Sequence, residues 1–274
     1  MGGALAGKTI FISGGSRGIG LAIAVRAAKD GANVALIAKT DEPHPQLPGT
    51  VHTAAEEIRA AGGQALPIVG DIRDQDAVLG AVAKAVDEFG GIDICINNAS
   101  AINLANVETM PLKRYDLIQS INSRGTFVVS QACIPHLKAN GGHILTLSPP
   151  INLNPRWLGA HAPYTLSKYG MTLLTLGMAE ELSADGVAAN CLWPETTIAT
   201  AAVQNLLGGD EMIRRSRTPE IVADAAFEIL RRDPSEASGQ CFIDSEVLTE
   251  AGGYDLDSYA VEAGLDLYPD VFLD

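Results

Sequence analysis

The stretch that decides the fold is SGGSRGIG, residues 13–20, which continues the short apolar run TIFIS (9–13). Its glycines, Gly14, Gly18 and Gly20, have a G-x3-G-x-G spacing and open a helical pattern. Glycines so placed permit a tight turn and a close approach of the backbone to a pyrophosphate. The helix that follows directs free N–H groups and the positive end of its dipole at the phosphates. A glycine trio alone is a weak signal, but between a first buried strand and a helix it predicts a dinucleotide-binding turn.

Outward from this turn, short apolar runs alternate with helical patterns. The runs predicted as strands are 9–13, 33–38, 65–70, 92–97, 143–148, 187–193 and 240–244. They are rich in Val, Ile and Leu without clean alternation, which is typical of strands buried on both faces of a parallel sheet. The predicted helices cover roughly 18–30, 51–61, 74–89, 112–139, 163–183 and 219–232, with Asp74 and Thr109 as candidate caps.

These repeated β-then-α units predict an α/β fold with right-handed crossovers. We expect one domain over residues 1–274, a Rossmann-type doubly wound parallel sheet of seven strands with helices on both faces. An acidic C-terminal extension is expected from about residue 245.

The charge distribution limits the partners of the protein. The net charge is −14, and after Arg232 the chain has eleven acids but no Lys or Arg. Nucleic acids and anionic membrane surfaces are bound by basic patches, so neither is an expected partner. We interpret the acidic tail as a solvated surface.

The cysteines and histidines give no sign of a metal site. Cys95, Cys133, Cys191 and Cys241 form no CxxC pair, and the five histidines are scattered. Three of the cysteines lie in apolar runs, which indicates buried free thiols in a reducing compartment. No signal peptide and no run of transmembrane length is visible, so we expect a cytoplasmic protein.

The residues at the end of the second strand are expected to determine whether the protein binds NAD or NADP. An acid there would accept a hydrogen bond from a ribose 2′-OH and repel a 2′-phosphate, but the chain has Ala38, Lys39 and Thr40. Arg17 in the glycine turn is a second cation, so the pair favours NADP over NAD. The alternative is that Arg17 and Lys39 are ordinary exposed side chains. Asp71, after the third strand, is the natural contact for the adenine ring.

A Tyr and a Lys four residues apart carry the candidate chemistry. Tyr164 and Lys168, in YTLSK, share one face of a predicted helix. A free tyrosine has a pKa of about 10, and a nearby ammonium or nicotinamide cation would lower it. The pair would then exchange a proton with a carbonyl/alcohol couple. The alternative is a helix-surface pair, but here it follows the glycine turn, NNAS (97–100) and Asn122.

Together these motifs resemble the short-chain dehydrogenase/reductase family. GGSRGIG, NNAS, Asn122 and YTLSK stand in the family's order and approximate spacing, and the resemblance covers about residues 7–245. KTDEPHPQLPGT (39–50), ILTLSPPINLNP (144–155) and LYPDVFLD (267–274) resemble the hydroxysteroid-dehydrogenase-like branch more narrowly. Animal members of that branch carry a further C-terminal sterol-carrier domain, which we expect to be absent here because the chain ends at LYPDVFLD.

The resemblance implies a role for each residue. NADPH would give a hydride to a carbonyl carbon while Tyr164 gives a proton to its oxygen. Lys168 would lower the Tyr164 pKa and bind the nicotinamide ribose, and Asn122 would hold a proton-relaying water. Ser148 would orient the carbonyl oxygen. The long helices at 112–139 and 163–183 would form the interface of a homodimer or homotetramer.

The resemblance also implies a set of binding residues. The expected cofactor contacts are Gly14, Ser16, Arg17, Gly18, Ile19, Gly20, Lys39, Asp71, Ile72, Asn98, Ala99, Ser100, Tyr164, Lys168, Pro194, Thr197, Ile198 and Thr200. Trp157, Leu158, Trp193 and Leu206 suggest an apolar substrate pocket. Alternatively, the two tryptophans pack the loops or form a subunit contact.

Two departures from the family pattern affect these expectations. Glu195 follows Pro194 where the family has Gly, with an extra residue before Ile198. Pro149 stands at the position where the family usually has its catalytic Ser. Ser148 can therefore act in catalysis only if the prolines twist the end of the strand and re-aim its side chain.

The sequence therefore predicts an NADP(H)-dependent oxidoreductase that acts on an apolar carbonyl/alcohol substrate. The displaced Ser supports an alternative, a non-catalytic NADP(H)-binding sensor or interaction protein. A third hypothesis, lipid handling, rests only on the branch resemblance.

Overall fold

The computed structural model describes residues 2–43 and 48–274. Residues 44–47, which belong to the stretch 39–50 that carries part of the family resemblance, lie outside the described residues. The strands are β1 (Thr9–Ser13), β2 (Asn33–Ala38), β3 (Gln64–Val69), β4 (Ile94–Asn97), β5 (Gly142–Leu147), β6 (Val187–Trp193) and β7 (Cys241–Ile243).

Within these described residues the strands form one seven-stranded sheet in the order β3-β2-β1-β4-β5-β6-β7. Every neighbouring pair is parallel, which confirms the predicted Rossmann-type sheet. The order reverses between β1 and β4, where Ser13 pairs in register with Asn97. In open sheets of this kind ligands bind beyond the carboxyl ends of the strands at such a reversal.

Helices cover both faces of the sheet. They are α1 (Gly18–Lys29), α2 (Val51–Ala60), α3 (Gln75–Phe89), α4 (Leu112–Ile121), α5 (Ser123–Asn140), α6 (Pro155–Ala160), α7 (Ala162–Glu181), α8 (Gly209–Arg214), α9 (Glu220–Leu230) and α10 (Asp244–Ala251). Alternate residues of β1 point to opposite faces. Ile10 and Ile12 join the core under α1 and α9, whereas Phe11 joins the core under α3 and α5. All five residues of β1 are buried, so the strand is covered on both faces.

Two local predictions need correction. The helix predicted over 112–139 is broken at Asn122, whose ψ of −77° separates α4 from α5. Thr109 does not cap α4, since Pro111 is the N-cap and Thr109 instead bonds Asn106. The Asp74 cap is confirmed, because its carboxylate accepts from the N–H groups of Asp76 and Ala77.

The acidic extension is not simply a solvated surface, as the sequence suggested. Asp244 and Phe272 are completely buried, and Phe272 packs among aromatic side chains of the main domain. The last residues, 268–274, thus form part of the domain; we call them the C-terminal segment. Within the described residues, no helix is both long and apolar enough to span a membrane.

Candidate active site

A cavity of about 1670 Å³ opens at the carboxyl edge of the sheet, beside the β1/β4 reversal. It is lined by every residue predicted to contact the cofactor except Gly20. Of the predicted catalytic residues it is lined by Tyr164 and Lys168, but not by Asn122 or Ser148. The fold therefore brings most of the predicted site together.

The glycine turn packs closely against the residues after β4, at the N-terminus of α1. Gly14 has a φ of +72°, and a Cβ on it would lie 2.8 Å from the Ala99 Cα. A Cβ on Gly20 would lie 2.5 Å from Asn98 Nδ2, so Gly20 serves packing beneath the turn. No side chain caps the N-terminus of α1, and its free N–H groups suit a diphosphate. The residues present therefore fit a dinucleotide.

The cations near the expected 2′-phosphate position are partly engaged. Arg17 donates to the Pro48 and Gly49 carbonyls and to Thr40 Oγ1, at 2.7 to 3.1 Å, and so holds the connection after β2. Lys39 Nζ lies 3.4 Å from the Asp71 carboxylate and remains largely exposed. Asp71 is also bonded by Arg73, whose hydrogen bonds hold the Asp71 pKa well below its ordinary value. Two cations therefore share one carboxylate, and a net positive charge remains.

Tyr164 and Lys168 lie together on α7, as predicted, but their environment differs from the expectation. Both are buried, at 3% and 2% exposure. Burial, followed by the charge of Asp270, raises the Tyr164 pKa above its ordinary value. Burial lowers the Lys168 pKa to about 7, so the lysine is itself only partly charged at neutral pH. Lys168 Nζ donates to the Leu147 carbonyl at 2.7 Å, and the structure does not show it lowering the Tyr164 pKa.

Asn122 supports the site from behind rather than lining it. Its amide bonds both backbone groups of Ala101 at 2.8 and 3.0 Å, and it donates to Ser167 Oγ at 2.9 Å. It is fully buried, so its side chain ties the loop after β4 to α7.

The structure does not bring Ser148 to the cavity, which corrects the role expected for it. Ser148 is fully buried, and its hydroxyl lies beside the Cys191 thiol of β6. Among the described residues the hydroxyl has no hydrogen-bond partner. Pro149 also stays buried, with its carbonyl accepting from Thr172. The prolines therefore do not re-aim the serine.

The predicted substrate residues divide into two groups. Trp193 and Leu206 line the cavity, as do Met212, which lies in the loop expected to face the substrate, and Leu104, which the sequence did not single out. Trp157 and Leu158 do not line it. The ring of Trp157 instead lies 6.1 Å from the ring of Phe272, and its Nε1 donates a hydrogen bond to the Asp274 carboxylate at 3.2 Å. Trp157 therefore fits the alternative that the tryptophans pack the loops.

The C-terminal segment is the part of the site that the sequence did not predict. It runs beside the residues after β6: Thr197 N–H donates to the Tyr268 carbonyl, Asp270 N–H to the Glu195 carbonyl and Trp193 Nε1 to the Val271 carbonyl, at 2.9 to 3.0 Å. These bonds place the 194–200 stretch against the cavity despite its departure from the family pattern. The only signal available was an apolar Val271-Phe272-Leu273 in an otherwise acidic tail.

The fold and the site define a nucleotide-binding protein of the Rossmann type. Residues 8–209 match the family model described as short chain dehydrogenase. The chain belongs to the short-chain dehydrogenase family, a class of oxidoreductases with nicotinamide cofactors. Structural relatives 25% identical to this chain, with TM-scores of 0.72, hold NADP in one case and NAD in another.

More similar proteins are also known. The chain is 55% identical, over 99% of its length, to hydroxysteroid dehydrogenase-like protein 2 of Xenopus tropicalis and 52% identical to that of Homo sapiens. It spans 65% of the length of each of these relatives. A solved short chain dehydrogenase from Mycobacterium thermoresistibile is 62% identical, with 98% of this chain and 96% of that chain covered and a TM-score of 0.93.

Proposed function

We propose that the chain is an NADP(H)-dependent oxidoreductase that interconverts a carbonyl and an alcohol on a largely apolar substrate. One observation carries this proposal. Tyr164 and Lys168 lie in the wall of the same cavity that the glycine turn lines. A protein that only sensed a dinucleotide would not need a buried tyrosine hydroxyl and lysine amine there.

The described residues divide the cavity between cofactor and substrate. Gly14, Gly18 and the start of α1 would hold the diphosphate, and Lys168 the nicotinamide ribose. When bound, the cofactor supplies or accepts a hydride. The remaining wall, formed by residues such as Leu104, Trp193 and Leu206, suits an apolar substrate.

The preference for NADP rests on charge. Lys39 lies in the cavity wall and shares Asp71 with Arg73, so the local charge stays positive. A 2′-phosphate would gain from this charge, whereas a free 2′-OH would not. Arg17 is hydrogen-bonded to the connection after β2 and so helps to shape the turn. Its positive charge adds to that of Lys39.

Tyr164 is the group that transfers the proton to or from the substrate. In the direction of reduction its Oη would give a proton to the carbonyl oxygen as the hydride reaches the carbon. Burial disfavours the phenolate, so the tyrosine is held protonated and ready to act as an acid. Ser148 takes no part, because its hydroxyl lies outside the cavity.

Turnover on a panel of apolar ketones and aldehydes, followed through the absorbance of NADPH, tests this proposal. We expect steady NADPH oxidation with at least one member. NADPH binding, seen by fluorescence, without turnover on any aldehyde, ketone or, with NADP, any alcohol would favour the sensor alternative.

We also propose a homodimer or homotetramer. Phe127 of α5 and Leu166 and Leu173 of α7 are 47 to 61% exposed on two adjacent helices. An apolar face of this kind suits a contact between copies of the chain. Light scattering, which should return two or four times the chain mass, tests it.

A further inference from the structure

Asp270, in the C-terminal segment, is an ionisable group of the site that none of the functions above uses. It lines the main cavity together with Tyr164 and Lys168. It also lines a second, smaller cavity of about 590 Å³ beside Glu195, Arg156 and Asp274. These last side chains are 48 to 56% exposed, so the small cavity leads towards solvent. Asp270 thus stands between the buried pair and the outside.

The backbone fixes Asp270 in this position. Its N–H donates to the Glu195 carbonyl at 2.9 Å, and its Oδ1 accepts from the Val271 N–H at 2.7 Å. Two residues on, Phe272 is completely buried against Tyr164, Tyr169 and Trp193. The hydrogen bonds at Asp270 and the packing of Phe272 therefore hold the carboxylate in place.

The charged groups that face Asp270 come from two other elements. Lys168 faces it from α7 and favours the carboxylate, whereas Asp244 faces it from the start of α10 and disfavours it. Glu195, next to it, has its carboxylate paired with Arg217 at 2.6 Å. The charge of Asp270 in turn acts on both Tyr164 and Lys168.

We propose that Asp270 relays protons between Lys168 and the solvent of the small cavity. This inference rests on the proposed function. In the direction of reduction the carbonyl oxygen takes the Tyr164 proton, and Lys168 returns a proton to the phenolate. Asp270 in its acid form then protonates the Lys168 amine through water of the main cavity, which both groups line, and water in the small cavity restores the acid. One proton enters from solvent for each hydride delivered, and every protein group ends as it began.

The acidities of the two groups suit this exchange. Burial raises the pKa of Asp270 to about 7, and burial lowers the pKa of Lys168 to about 7. Proton transfer between groups of matched pKa is close to thermoneutral, and both forms of each are populated near neutral pH. Asn122, from which the resemblance implied a relay, has its amide engaged by Ala101 and Ser167.

Asp270→Asn is the sharpest variant, because its amide oxygen still accepts from the Val271 N–H but cannot carry a proton. We expect kcat to fall about tenfold, a size within reach of general acid–base effects. The KM for NADPH should stay unchanged, the solvent isotope effect should increase and Asp270→Glu should restore part of the rate. The fall should be steepest near neutral pH, where the relay works in the parent protein.

Asp266→Asn is the matched control. Asp266 lies four residues before Asp270, but its side chain is exposed and lines neither the main cavity nor the small one. The variant makes the same chemical change without touching the relay, so its kcat and pH profile should match those of the parent. If Asp270→Asn also gave the parent's kcat and pH profile, the relay would be overturned while the proposed function stood.

A measurement without turnover keeps the two proposals separate. In protein with ¹³C-labelled aspartate carboxyls, the resonance missing from Asp270→Asn belongs to Asp270. We expect it to titrate near neutral pH. Titration below about pH 5, as in an ordinary aspartate, would overturn the relay whether or not a substrate had been found.

Discussion

Ser148 shows at the scale of one residue how a displacement of one position removes a candidate catalytic group. It directly follows β5, but its hydroxyl is buried beside Cys191 and does not line the cavity. Because a strand alternates its side chains between faces, a shift of one residue turns a group away from its target. Pro149, at the position where the family usually has the Ser, is itself buried and has no hydroxyl to offer.

Ser148→Ala should therefore leave kcat and KM within about twofold of the parent values. The removed hydroxyl has no hydrogen-bond partner among the described residues, so stability should change little as well. Steady-state kinetics with the best substrate of the panel checks this expectation. A fall in kcat of a hundredfold or more with an unchanged Tm would restore Ser148 to the mechanism.

The proposed preference for NADP assigns the choice of cofactor to Lys39. Lys39→Asp should weaken NADPH binding and shift the preference towards NADH, since a carboxylate there repels a 2′-phosphate and accepts from a 2′-OH. We expect a loss of about tenfold or more in affinity for NADPH. Fluorescence titration with both cofactors measures it.

Lys84→Asp, an exposed site on α3 away from the cavity, makes the same charge change and should leave both affinities unaltered. Equal binding of NADH and NADPH by the parent protein would refute the argument from charge.

The C-terminal segment is the element whose contribution is most specific to this chain. Phe272 is fully buried and is, among the described residues, the non-glycine residue with positive φ, at 77°. Left-handed backbone disfavours a bulky side chain, so the aromatic contacts must outweigh that cost. Its ring lies 5.3 to 6.2 Å from the rings of Trp157, Tyr164 and Tyr169.

Phe272→Ala should release the segment and not the whole fold. A buried Phe→Ala change costs about 3–5 kcal/mol, more than a short segment bound by a few hydrogen bonds retains. Hydrogen exchange should then accelerate at the Thr197 and Asp270 N–H groups, which bond along the segment.

Val261→Ala, at a 40% exposed position of the same extension, should leave both amides as protected as in the parent. Full protection in Phe272→Ala would show that the segment does not depend on this anchor.

The elements also show what sequence reasoning could and could not predict. β1, the glycine turn and the Tyr164–Lys168 pair are local patterns, set by apolar runs, backbone freedom and helical spacing. The break at Asn122 was missed because no proline or glycine marks it. The docking of Asp270 depends on contacts with residues far away along the chain, and an acidic tail gives no hint of which acid lines the site.

At the scale of the whole molecule, buried acids make stability depend on pH. The pKa of Asp270 is raised to about 7 and that of Asp244 to about 6, chiefly by burial. The unfolded chain ionises both from about pH 4, whereas the folded protein keeps their protons longer. The unfolded state therefore binds fewer protons between about pH 4 and 7, and the contribution of these groups to stability falls as pH rises through that window.

Asp270→Asn removes one of these groups, so it should raise Tm relative to the parent more at pH 6.5 than at pH 5. Both values lie below the Lys168 pKa of about 7, so that lysine is largely protonated in the folded and the unfolded state. Differential scanning calorimetry at the two pH values measures the effect. An equal Tm difference at both would mean that Asp270 ionises normally in the folded protein.

The central claim is that Tyr164 supplies the proton in a reaction driven by a bound nicotinamide cofactor. Tyr169 offers a matched control, since it lies on the same helix and packs on the same Phe272, but its hydroxyl donates to the Asn152 carbonyl at 2.7 Å and does not line the cavity. The most direct test is the single-turnover rate of NADPH oxidation in Tyr164→Phe and Tyr169→Phe. Tyr164→Phe should lose about a hundredfold or more with NADPH affinity retained, and Tyr169→Phe should stay within a fewfold of the parent. Equal rates in the two variants would contradict the account.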